Sequence, residues 1–120
     1  MAIKIKTKYG MIDMDDRVIA TVVGGAATDN YGVVGMASRN QIRDNVNVIL
    51  RRNNYARGIE VHQKNNQIAL DIYIIVSYGT KISEVSKNVQ SKVRYNLKRM
   101  LGLTAKSINV IVQGVQVLDD

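Results

Sequence analysis

The sequence predicts an α+β domain in two layers: a small mixed β-sheet with three helices. Three patterns predict it. Apolar residues alternate with lysines from Ile3 to Tyr9, the period of a strand. Apolar residues recur at helical spacing over 15–30, 40–53 and 81–101. Ile68, Leu70, Ile72, Ile74 and Val76 share one face of an extended run. A chain of 120 residues suits a single domain, 1–120, with one core. With six Tyr and no Phe or Trp, that core is aliphatic.

The elements follow in the order β-α-(short β)-α-β-β-α-β. The first strand, Ile3 to Tyr9, carries Lys4, Lys6 and Lys8 on its outer face, which suits an edge. Gly10 permits a turn, and Met11 to Met14 run back as a short second strand. Asp15 is a good N-cap for a helix to Asn30 whose apolar face is Val18, Ile19, Val22, Val23, Ala26 and Ala27. Tyr31 to Ala37 is a short extended link. A second helix spans Asn40 to Asn53, with Ile42, Val46, Ile49 and Leu50 inward. It ends in Arg51 and Arg52, where cations favour the carbonyl end of the helix dipole. Gly58 to Tyr78 reads as a hairpin turning at Lys64-Asn65-Asn66, because Asn tolerates positive φ. Thr80 caps a long third helix, Lys81 to Leu101, with the stripe Ile82, Val85, Val89, Val93, Leu97 and Met100, and Gly102 stops it. Ile108 to Val117 is the last strand, with Gly114 as a bulge.

Composition removes several function classes. Without Cys there is no disulfide, thiolate metal site or cysteine nucleophile. The N-terminus has no signal-peptide core, and the longest apolar run, Ile72 to Val76, is too short to cross a bilayer. The expectation is a cytoplasmic protein without a transmembrane segment, membrane-associated only through a partner. A net charge of +7 biases it toward acidic partners.

The stretch GGAATDNYGVVGM, Gly24 to Met36, poses a choice between anion capture and close packing. A dinucleotide loop needs GxGxxG between a strand and a helix, and a Walker loop needs Lys-Ser or Lys-Thr after its last glycine; neither is present. Gly24 and Gly25 fall inside a predicted helix, where each costs about 1 kcal/mol against Ala. Gly24, Gly25, Gly32 and Gly35 are therefore read as a joint for close backbone packing. Gly32 to Gly35 is also a GxxG between two predicted helices, the place where KH domains clamp a nucleic-acid backbone, although its middle residues are two valines.

The third helix concentrates charge. Lys87, Lys92, Arg94, Lys98 and Arg99, with Tyr95, project away from its apolar stripe and form the predicted interaction face. Arg51, Arg52 and Arg57 read as helix-end stabilisation. His62 lies on a polar strand face with Glu60, Asp71 and Tyr73, but no activated Ser completes a triad, so it reads as a surface histidine. Asp13, Asp15 and Asp16 lack the spacing of a calcium loop. No catalytic, cofactor or metal residue is predicted.

Three stretches carry a family resemblance: TKYGMIDMDDRVIATVVGGAATDNYGVVGMASR (7–39), DIYIIVSYGTKISEVSKNVQSKV (71–93) and SINVIVQGVQV (107–117). Over nearly all its length the chain resembles the short stand-alone form of the alkaline shock protein family, envelope stress response proteins of Gram-positive bacteria. The resemblance implies a cytoplasmic protein without enzymatic activity, linked to cell-envelope homeostasis and stress. It further implies a membrane-anchored protein partner and self-association. It supplies no catalytic or ligand residue, and the glycine stretch is a family hallmark without an assigned role. The expectation is a non-catalytic interaction or scaffold protein. The rival is a KH-like nucleic-acid-binding domain using Gly32 to Gly35 and the basic helix faces, and nucleic acid is the less favoured partner.

Overall fold

Strand β5 (Gln67–Ser77) runs through the middle of the chain's main sheet. The computed structural model describes residues 2–39, 49–50, 52–65 and 67–117. In chain order the described elements are β1 (Ala2–Thr7), β2 (Gly10–Asp15), α1 (Asp16–Thr28), β3 (Val33–Met36), a 3-10 turn (Arg52–Gly58), β4 (Ile59–Lys64), β5, α2 (Ile82–Asn96), a π turn (Leu97–Leu101) and β6 (Thr104–Gln116). The α+β class holds, but the described residues form two sheets rather than one. β1 and β2 form a separate antiparallel hairpin. The main sheet holds β5 antiparallel to β3 and β4 and parallel to β6. The predicted helix over 40–53 falls almost wholly outside the described residues. At its end, Ile49 bridges to Ala37 and residues 52–53 open the 3-10 turn, so these positions are not α-helical.

Alternation in β5 sorts its side chains. Ile68, Leu70, Ile72, Ile74 and Val76 are buried on the face covered by the helices. Against them pack Ile19, Ala20, Val23, Ala26 and Ala27 of α1 and Val85, Val89 and Val93 of α2. β4 turns into β5 just after Lys64, with Asn65 at φ 58°. β6 starts at Thr104, earlier than expected. Its pairing slips at Ile74/Ile75 opposite Val112 and Gly114, which leaves Gln113 as the extra bulge residue.

Each helix end has an identifiable cause. Asp15 caps α1, its carboxylate accepting from Arg17 N at 2.8 Å. At the other end Asn30 Nδ2 donates to the carbonyls of Ala26 and Ala27 at 2.8 and 3.0 Å. Thr80 does not cap α2: its hydroxyl donates instead to Ser77 O at 2.7 Å, and Lys81 takes the cap position. Gly102, at φ 68°, ends the π turn.

The predicted apolar stripes are wider than the buried ones. Val18 is 44% and Ile82 41% exposed. Met100 is 62% exposed because the π turn adds a residue per turn, so the inward stripe passes from Leu97 to Leu101.

Two glycines in α1 lie in opposite surroundings. Gly24 is buried, and a Cβ there would overlap the ring of Tyr55 from the 3-10 turn. Gly25 is exposed, with nothing within 4 Å of such a Cβ. Gly24→Ala should therefore lower stability by about 1–3 kcal/mol through overpacking, and the loss should vanish in a Tyr55→Ala background. Gly25→Ala should raise stability by up to about 1 kcal/mol through helix propensity. Urea denaturation of these variants beside the parent and Tyr55→Ala checks both signs.

The Asp15 cap is also a pH lever. The hydrogen bonds from Arg17, first through its side chain and then through its backbone N–H, lower the Asp15 carboxyl from 3.8 to about 2. A depressed carboxyl stabilises the fold above its unfolded value, and that contribution is lost as pH falls toward its folded value. Asp15→Ala should lower the thermal midpoint at neutral pH, and the gap to the parent should close between about pH 4 and pH 2. Circular dichroism melts across that range check it.

Candidate functional site

Among the described residues, polar chemistry gathers on the outer face of α2 and on the sheet face turned away from the helices.

On α2, burial of Val85, Val89 and Val93 turns the opposite side to solvent. Lys87 and Arg94 are exposed there, as are Lys98 and Arg99 of the π turn that follows, and Tyr95 is 61% exposed. Lys87, Arg94 and Lys98 follow at intervals of seven and four, which aligns them in one stripe. Among the described residues none of these four cations forms an ion pair. Lys92 differs: its Nζ lies 2.9 Å from Asp29 Oδ2, just past the end of α1. Its side chain sits at the margin of the stripe and ties the two helices together. At 41% and 73% side-chain exposure, that bridge adds little to stability.

The predicted glycine joint is split by the fold. Gly24 abuts Tyr55, and a Cβ at Gly35 would overlap Ile49. Gly32 sits in a turn at φ 91°, where a Cβ would also lie 2.7 Å from Val85 Cγ2 of α2. Gly25 faces open space. Val33–Met36 form β3, so the GxxG runs from a turn into a strand whose residues pair with 74–76 of β5. It is not an open loop between two helices, and its backbone is engaged in the ladder.

On the sheet face away from the helices, β4 and β5 place Glu60 directly opposite Asp71, and the parallel register places Asp71 beside Asn109 of β6. His62 projects on the same side as Glu60, two residues along β4. Its Nε2 lies 3.5 Å from Glu60 Oε1 and 3.6 Å from Asp71 Oδ2. Asn109 Nδ2 donates to Asp71 Oδ1 at 2.9 Å. The sequence pattern puts Glu60, His62 and Asp71 on one polar strand face. Asn109 gives no such signal, because its partner depends on the parallel pairing of strands far apart in sequence. At the edge of β4 a cavity of about 320 Å³ opens between Asp16 and Ala20 of α1, Arg39, Ala56, and the pair Glu60 and His62.

The β1–β2 hairpin is a third exposed feature. Ile3 is buried, while Tyr9, Met11 and Ile12 at the far end are 89%, 56% and 49% exposed. Gln63 of β4 holds the hairpin by bonding both the backbone N–H and the carbonyl of Lys4.

The chain that forms this aliphatic α+β fold and its basic helix face matches known proteins over almost its full length. Residues 4–117 match the alkaline shock protein family, described as having a cell envelope-related function. The chain is 57% identical over 117 residues to the protein YloU of Bacillus subtilis, covering 98% of both chains. It is 52% identical over 120 residues to the Streptococcus pyogenes protein Spy1614, covering 100% of this chain and 99% of the relative. A stress response regulator gls24 homolog of Streptococcus pyogenes is 27% identical over 119 residues, spanning 89% of this chain and 59% of that protein. The chain belongs to the alkaline shock protein family. Among the described residues no helix is long and apolar enough to cross a membrane.

Proposed function

We propose that this protein is a non-catalytic interaction protein of the cell envelope, docking the outer face of α2 onto an acidic surface of a membrane-anchored protein partner. The observation that carries the reading is the stripe of Lys87, Arg94 and Lys98, flanked by Arg99 and Tyr95, which finds no anion within the described part of its own chain. Cations left without an internal partner raise association rates with acidic surfaces and select against basic ones. An exposed tyrosine among them supplies apolar contact area at small entropic cost, the composition typical of an interface anchor. The envelope-related description of the family supports a partner at the membrane. Lys92, already engaged with Asp29, is left out of the docking set.

The test is site-specific photocrosslinking from position 95 in living cells. The parent should crosslink to a membrane-fraction protein, and Lys87→Glu/Arg94→Glu/Lys98→Glu should lose that adduct about tenfold or more while its circular dichroism spectrum stays unchanged. Lys92→Glu should retain most of it. Undiminished crosslinking by the triple variant would sink the reading. Adducts that are instead RNA, with binding that collapses as salt rises, would point to nucleic acid.

A further inference from the structure

Glu60, His62 and Asp71 each present one ligand atom, and the three atoms lie within 4.8 Å of one another. We infer that this trio, on the sheet face away from the helices, binds a divalent transition-metal ion of the zinc class.

The spacing argues first. His62 Nε2 stands 3.5 Å and 3.6 Å from the two carboxylate oxygens, beyond the usual N–H···O range of about 2.7–3.2 Å. Two ligand atoms on a tetrahedral ion, each bonded at about 2.0–2.2 Å, sit about 3.4 Å apart. Both His62 separations therefore fit atoms around a shared ion better than atoms bonded to each other, and the two carboxylate oxygens lie within 4.8 Å of one another.

Charge argues second. Glu60 and Asp71 face each other directly across the β4–β5 ladder. Like charges directly opposite destabilise a strand pair, and a dication between them reverses the sign. Arg39 lines the neighbouring cavity, but among the described residues it forms no ion pair with either carboxylate.

Orientation argues third. Asn109 holds Asp71 Oδ1 at 2.9 Å and leaves Oδ2 on the His62 side. Outer partners of this kind hold a ligating carboxylate in place. The donor set selects the metal: one imidazole with two carboxylates suits zinc and its first-row neighbours, whereas calcium and magnesium prefer oxygen alone. With the side chains of His62, Glu60 and Asp71 56%, 40% and 25% exposed, water has room to complete the coordination.

Tag-free protein titrated with zinc chloride by calorimetry, and with cobalt chloride by visible absorption, tests the site. Wild type should take up one ion per chain, give cobalt bands of a low-coordinate site, and melt higher with zinc than without. His62→Ala should lose uptake, bands and the zinc-dependent shift while keeping its metal-free melt. Asn109→Ala should weaken zinc affinity about tenfold. Zinc uptake by His62→Ala at wild-type affinity, or no uptake by wild type, would overturn the inference.

Discussion

Both edges of β5 are hydrogen-bonded along most of its length. β6 lies in parallel on one edge over 67–77, and the other edge carries β4 over 67–72 and then β3 over 74–76. Buried backbone groups must find partners, and a strand enclosed on both edges meets that demand without help from side chains. Its helix-facing side chains are then free to be wholly aliphatic, and the five on that face are 0–1% exposed. β3, β4 and β6 take their register from this one. A slip of one residue in β5 would turn Asp71 toward the helices and Ile72 toward the opposite face, which burial of the apolar row forbids.

Close approach describes most of the glycine stretch. Tyr55 packs where a Cβ of Gly24 would stand, Ile49 packs where a Cβ of Gly35 would stand, and Gly32 makes a turn against Val85. These contacts bring the 3-10 turn and position 49 onto the core beside α1 and β3. The chain has no Phe or Trp, and a tyrosine ring laid on a bare stretch of helix backbone supplies aromatic packing against α1.

The charge of +7 is unevenly spread. α2 turns outward a row of cations that find no ion pair among the described residues, while the far side of the sheet gathers two carboxylates and the one histidine. The two surfaces belong to different layers: α2 covers one face of β5, and Glu60, His62 and Asp71 stand on the other. The proposed docking face and the proposed ion site therefore lie in separate layers.

Local periodicity makes much of this legible. The period-two row of β5, the Asp15 cap, the Asn65 turn and the Gly102 stop depend on neighbours within a few residues, where backbone geometry alone decides. Family membership follows from stretches spread along the chain. The cationic stripe of α2 is equally readable, since helical spacing sets which residues face away from Val85, Val89 and Val93. Other features require the folded chain. The separate β1–β2 hairpin, the π turn that ejects Met100, the union of Lys92 with Asp29, the entry of Gly32–Gly35 into a strand, and the placing of Asn109 beside Asp71 all arise between segments distant in sequence or from packing against them. Periodicity says which way a side chain points along its own element. Only the pairing of elements, driven by burial of the shared aliphatic core, decides what it meets.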